Sequence, residues 1–328
     1  MIVMSSIKYR AGFSFLLTTG YWLLATVYCL IVISFICALQ TAHTVAAVET
    51  KTTITARPTS VAVLDFGGTA TARRMADRLA LSLSSSTGLR LTDRDESRAA
   101  ATGASYAGSL NMSLEEARDL GAAIGSDFYI VGDAQTLRRS PSEGSVFHEA
   151  YASIFIISAR TGRLIMWDRP SFEAATPEEA EAKLLAELGR RAERYATAIR
   201  TAEENERQVR ALSTAHGAPV IEEVPAEDSP AARGFRPPAP YRRLLPPYPE
   251  TAARAEAEAT VDVLVDIDSQ GEVTRVEVAR WAGFGLDEAT VNTIRRMHFR
   301  PAMREGVPVA MRALLRYNFR RPAKEGKR

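Results

Sequence analysis

The sequence predicts an α+β chain, and three observations carry that prediction. An uncharged apolar run opens the chain. Strand-like and helix-like segments then alternate before closing on a hairpin. A final stretch of alternating residues interrupted by one short helix reads ββαβ. At 328 residues there is room for about two folded domains plus flanking segments.

Residues 1–10 form a short N-terminal end with Lys8 and Arg10. From Ala11 to Leu39 no charge occurs over 29 residues, with Tyr21, Trp22 and Tyr28 inside the run. That length spans a bilayer with tilt, whereas a signal-peptide core is usually about 7–15 residues. The basic residues ahead of it orient that end toward the cytoplasm. Residues 11–39 therefore read as a transmembrane anchor, with Val45-Ala46-Ala47 keeping open a cleaved signal sequence. On either reading the bulk of the chain lies in the periplasm, and the anchored form is a single-pass inner-membrane protein.

Residues 58–176 read as an α/β domain with a mixed sheet. Ser60–Phe66 is a compact strand ended by Gly67-Gly68, and 70–84 a helix with Met75, Leu79 and Leu83 on one face. Leu89–Thr92 is a short strand, and a helix follows from Asp93. Ser113-x-x-Glu116 has the capping-box pattern and opens a helix carrying Leu114, Ala117, Leu120 and Ala123. Asp127–Asp133 is a strand, then Glu149–Ser158 and Gly162–Trp167 form a hairpin.

A long helix over 177–212 carries the stripe Ala180, Leu184, Leu188, Ala192, Tyr195 and Ile199. Its first half is expected to pack on the α/β domain, and its second half to project or pair with another copy. Residues 213–245 form a Pro-rich linker; between Pro219 and Pro249 lie nine of the sixteen prolines. Proline lacks the amide donor, so an extended stretch free of sheet and helix is expected, with a reach on the order of 95 Å at ~3.1 Å per residue.

Residues 246–322 carry the ββαβ pattern. Val261, Val263, Val265 and Ile267 alternate with Asp262, Leu264 and Asp266, giving a half-buried strand. Asp268-Ser269-Gln270-Gly271 turns it, and Glu272–Ala279 returns. A helix follows from Leu286, with Asp287 and Glu288 in its first turn and Pro301 as its stop. In the last strand Val309, Met311, Ala313, Leu315, Tyr317 and Phe319 face one way, and Arg312, Leu314, Arg316, Asn318 and Arg320 the other.

Chemistry-bearing patterns are absent from the sequence. Cys29 and Cys37 lie in the apolar run, and His43, His148, His216 and His298 lack metal-ligand spacing. Gly67-Gly68-Thr69 has no Lys-Ser/Thr after it and reads as a tight turn; Gly103-Ala104-Ser105 lacks the nucleophile-elbow pattern. Asp65 and Asp133 read as turn formers at strand ends. No catalytic residue, metal site or cofactor is expected. The net charge is +2 overall but +6 from Ser229 onward, where 18 Lys and Arg face 12 Asp and Glu. Arg outnumbers Lys 36 to 5, as GC-rich coding produces, and no nucleic-acid partner is expected.

Two resemblances follow from these motifs. VAVLDF, the helix leading to GLRLTDRDE, LGAAIGSDFYIVGDA and the hairpin ending ARTGRLIMW resemble the α/β module of the TolB N-terminal part, CsgG, FlgO and LpoB-type lipoproteins. That likeness implies a non-catalytic binding or assembly module. Tyr248-Pro249, VDVLVDIDSQGEVTRVEV, the aromatic-glycine loop before Leu286-Asp287-Glu288-Ala289, His298-Phe299-Arg300-Pro301-Ala302 and the long final strand resemble the TonB C-terminal domain. In that family the final strand takes up a short segment of an outer-membrane transporter, and residues around the Tyr-Pro pair touch it. Carried over, the partner-binding residues are Tyr248, Pro249, Arg312, Leu314, Arg316 and Asn318. The arginines equally serve to keep an exposed edge soluble. The resemblance implies an energy transducer of the cell envelope, active in transport, whose partner is an outer-membrane TonB-dependent receptor or another envelope protein. Yet the segment 11–39 lacks the family's serine–histidine pair, and an α/β domain is inserted. A scaffolding adaptor acting through that module, with self-association, is the alternative.

Overall fold

Side-chain alternation along β1 (Thr59–Val63) sets the layer plan of the first domain. Val61 and Val63 point to one face and Ala62 and Leu64 to the other, and all four are buried. A strand covered on both faces sits inside a sheet with helices on each side. The computed structural model describes residues 57–141, 145–215, 221–225 and 228–321, and those from Pro58 onward lie within one compact unit. The expected anchor at 11–39 lies outside the described residues. Among the described residues no helix is long and apolar enough to cross a membrane.

In chain order, β1 is followed by α1 (Ala70–Ser84), β2 (Leu89–Leu91), α2 (Arg94–Gly103), α3 (Leu114–Ile124), β3 (Phe128–Arg139), β4 (Phe147–Ser158), β5 (Leu164–Asp168), β6 (Ser171–Ala174) and α4 (Pro177–Ala215). The sheet runs β2-β1-β3-β4-β5, with β6 also on β4. β1 pairs parallel with β2 and β3, and the remaining pairs are antiparallel, so the sheet is mixed. Asp133 does not end its strand as the sequence reading had it. β3 runs on to Arg139 because it pairs with β4 from Phe128↔Ser158 to Arg139↔Phe147. Inside the strand, Asp133 accepts a bond from the Tyr151 hydroxyl at 2.9 Å. Asp65 receives Arg94 and Arg98 instead of acting only as a turn former.

One face of this sheet is covered by Met75, Leu79 and Leu83 of α1 and by Ala180, Leu184, Leu188, Tyr195 and Ile199 of α4. The other carries Ala101 of α2 and Ala117, Leu120 and Ile124 of α3. Local chemistry starts the helices. Thr69 caps α1 through Ala72 N, Asp93 caps α2, and Ser113 with Glu116 forms the reciprocal capping box of α3. The β4–β5 turn uses Gly162 at φ +70°, where a Cβ would stand 2.1 Å from the Leu114 carbonyl oxygen. No side chain fits so close an approach of α3 to the turn.

The second domain contains α5 (Glu250–Ala255), β9 (Ala259–Ile267), β10 (Val273–Arg280), α6 (Leu286–Ile294) and β14 (Met311–Phe319). Its antiparallel sheet has the order β10-β9-β14. Between α6 and β14 lie β11 (Phe299–Arg300), β12 (Ala302–Arg304) and β13 (Val307–Val309). The expectation that Pro301 stops the helix is corrected. α6 ends at Ile294, where Arg296 N bonds Thr293 O and Met297 N bonds Ile294 O, so tight turns end it before proline is reached.

The Pro-rich stretch also departs from expectation. Residues 230–232 form a 3₁₀ turn, and β7 (Phe235–Arg236) and β8 (Ala239–Pro240) follow. β7 pairs with β12, and β8 with β11. Rungs this short need few donors. Pro240 keeps its carbonyl, and Tyr241 N reaches His298 O at 3.0 Å. Proline is tolerated at such edges. This part of the chain is wrapped on the second domain.

Candidate functional site

β14 is an edge strand, and its register decides which groups face outward. It pairs with β9 from Met311↔Ile267 to Phe319↔Ala259. Arg312 uses its own backbone away from β9: its N–H donates to Glu222 O at 2.8 Å and its carbonyl accepts from Val224 N at 3.0 Å. Strand alternation then turns the backbone groups of Leu314, Arg316 and Asn318 the same way. Among the described residues no strand pairs with that outer side beyond Arg312. Three successive rungs of donors and acceptors are thus available to an extended peptide.

The structure brings Arg312, Leu314, Arg316 and Asn318 onto one face, as strand periodicity requires, but three of them have internal partners. Arg312 grips Asp266 through two bonds, 2.6 and 2.8 Å, and Arg316 grips Asp262 at 2.7 and 2.8 Å. Thr260 donates to the Asn318 side chain at 2.8 Å. Leu314, 56% exposed, projects between the two arginines. The contact with Asp266 raises the Arg312 guanidinium, and that with Asp262 raises Arg316. These pairs correct the expectation of a half-buried β9, since Asp262 and Asp266 are themselves buried. The sequence held a signal for them: Asp262 and Asp266 share the four-residue spacing of Arg312 and Arg316, and an antiparallel register matches the two sets crosswise.

Tyr248 and Pro249 stand at the far end of the same strand. The Tyr248 ring lies 6.3 Å from that of Phe319, and its hydroxyl donates to Ala257 O at 2.7 Å. Partial burial, with Glu258 nearby, raises the Tyr248 phenol. Pro249 is the residue before α5, where its fixed φ suits a helix start.

The opposite edge is tied to the first domain, which the sequence did not reveal. Trp281, after β10, is buried among Phe155, Tyr129 and Leu120; its ring stacks on Phe155 at 5.7 Å and its indole N–H donates to Gly162 O at 3.1 Å. Phe284 packs between Phe155 and Trp167 at 5.6 and 5.7 Å. Asn111 alone makes three bonds across the joint, to Thr260 N, Thr260 O and Trp281 O. Arg280 pairs with Glu116 at 2.9 Å, and Arg163 pairs with Glu277.

Asp287 holds the aromatic loop in shape. Its two carboxylate oxygens accept from Ala282 N at 2.9 Å and Gly283 N at 2.8 Å. Burial outweighs those bonds and pushes its pKa from 3.8 up to about 6. A proton is therefore bound more tightly by the folded than by the unfolded chain. Stability from this group is complete below about pH 4 and is lost as pH rises through about 6, a span worth about 3 kcal/mol. Urea midpoints measured from pH 4 to 7 should fall more steeply with rising pH for the native chain than for Asp287→Asn. Parallel slopes would contradict the assignment.

Residues 245–320 match the family described as the Gram-negative bacterial TonB protein C-terminal. Similar solved structures include the TonB C-terminal domain of Pseudomonas aeruginosa, at 26% identity over 28% of this chain and 90% of that one, TM-score 0.23. A hypothetical protein of Chlamydia trachomatis is 14% identical over 41% of this chain and 95% of that one, TM-score 0.31. A lipoprotein of Neisseria meningitidis is 14% identical over 45% of this chain and 99% of that one, TM-score 0.30. Comparison with curated proteins gives no match. Residues 245–320, whose strand order and open edge are described above, form a C-terminal domain of the TonB family.

Proposed function

We propose that this chain is a cell-envelope protein that binds an outer-membrane transporter through the outer side of β14 and contributes to energy-coupled transport. The observation that supports this reading is the run of outward backbone groups from Leu314 to Asn318, flanked by Tyr248 at one end. An extended segment of the transporter adds there as a further strand, its affinity coming from main-chain bonds and its selectivity from Leu314 and the flanking arginine stems. The bulk of the chain faces the periplasm, with residues 11–39 as the inner-membrane anchor.

A second reading, a scaffolding adaptor, is favoured by one specific observation. The C-terminal domain is not free on a tether: Trp281 and Phe284 are inserted into the α/β domain. In that reading the α/β module engages assembly partners or another copy, and the docked pair acts as one body.

Leu314→Pro separates the two. It removes an outward donor while sparing the bonds to β9, which belong to the odd-numbered residues. In cells lacking the native protein, transport of a receptor-dependent substrate should return with the native chain and not with Leu314→Pro, provided circular dichroism shows the variant folded. Full transport by the folded variant would remove the edge as the working surface and leave the adaptor reading.

A further inference from the structure

The first rung of the β14 edge is already filled, and the occupant comes from the chain itself. Glu223 lies opposite Arg312 in a parallel bridge, with Arg312 N donating to Glu222 O at 2.8 Å and Val224 N donating to Arg312 O at 3.0 Å. The flanking side chains are seated as well. The Glu222 carboxylate meets both terminal nitrogens of Arg304 at 2.9 Å, which lowers the Glu222 pKa. Val224 packs on the core that contains Ala313 and Tyr317. Glu223 shares the opposite face with the Arg312–Asp266 pair and helps raise Arg312. Among the described residues the pairing covers this one rung and leaves Leu314, Arg316 and Asn318 unused by it.

We propose that residues 221–225 are a built-in strap, a pseudo-ligand holding the entry rung of the peptide-binding edge. The strap also reports what that rung accepts: an extended segment running parallel to β14, with an acidic residue against Arg304 and an aliphatic residue two positions later against the domain core. A partner that uses the whole edge must carry this Glu-x-Val-like chemistry and displace the strap. The partner's nature rests on the reading of β14 given above; the strap itself does not.

The two can be tested apart on the full chain. Glu222→Ala with Val224→Pro removes the carboxylate and the donor that hold the strap. Amide exchange followed by NMR should show the Arg312 amide exchanging at least about tenfold faster in the double variant, with Leu314 and Arg316 fast in both chains. The blocked peptide Ile-Glu-Glu-Val-Pro, added in trans, should shift amides from Arg312 to Leu314 saturably in the double variant and at least about tenfold more weakly in the native chain. Ile-Arg-Arg-Val-Pro should leave both unshifted. Equal Arg312 exchange in the two chains overturns the strap, and so does a peptide response that is equal or absent in both. If these results hold while Leu314→Pro still supports transport, the strap stands and the transporter reading alone fails.

Discussion

Trp281→Ala should lower the unfolding free energy of the full chain by about 3–5 kcal/mol, the range for truncating a large buried aromatic. Trp281 is 1% exposed, yet it belongs to one domain by sequence and to the core of the other by packing. Removing it empties the space against Phe155 and leaves the Gly162 carbonyl without its indole donor at 3.1 Å. The loss should fall at the joint between the domains. Urea unfolding followed separately by far-UV circular dichroism and by a fluorophore on β14 should resolve two transitions in the variant where the native chain shows one. Trp281→Phe retains the stacking and gives up the indole bond, so it should fall between the two. A loss below about 1 kcal/mol, with coincident transitions, would mean that the domains are held by the polar contacts of Asn111, Arg280 and Arg163 instead.

Arg312→Ala should cost about 3–5 kcal/mol in the same measurement, because it strands the Asp266 carboxylate, which is 2% exposed as a residue. The two bonds at 2.6 and 2.8 Å are the main partners of that buried charge. Arg312→Ala combined with Asp266→Ala should recover much of the loss, since no buried charge then remains unpaired. A single variant as stable as the native chain would show that Asp266 finds water or another cation. The consequence for function is direct: a loss of partner binding in Arg312→Ala reports disruption of the β9–β14 sheet before it reports a lost contact with the partner. Leu314→Pro is the cleaner probe of the edge.

Much of the fold is legible because it is written in short-range periodicity. The two-residue alternation of β14 sorts Arg312, Leu314, Arg316 and Asn318 onto one face, and the stripe from Ala180 to Ile199 on α4 is buried as spaced. The capping box at Ser113 and Glu116 is local chemistry and forms as written. What was not legible depends on partners far away in sequence. Asp133 looks like a strand end until β4 pairs with the rest of β3. Trp281 looks like an ordinary aromatic before a glycine loop until Phe155 and Gly162 arrive from 126 and 119 positions away. Proline content predicts a segment without secondary structure, but a single rung needs only the donors of Val224 and Tyr241, which composition cannot locate.

Outside the Pro-rich stretch, the sequence by itself determined the main elements, the faces they present and the family of the C-terminal domain, since all of these follow from spacing along one segment. Only the tertiary structure decided how those faces are used. It places Asp262 and Asp266 against the arginines of the binding strand, closes one edge of that sheet with Trp281 on the α/β domain, and lays Glu222–Val224 on the first rung of the other. Each requires segments distant in the chain to meet, and burial and electrostatic pairing act on distance in space, which periodicity does not encode.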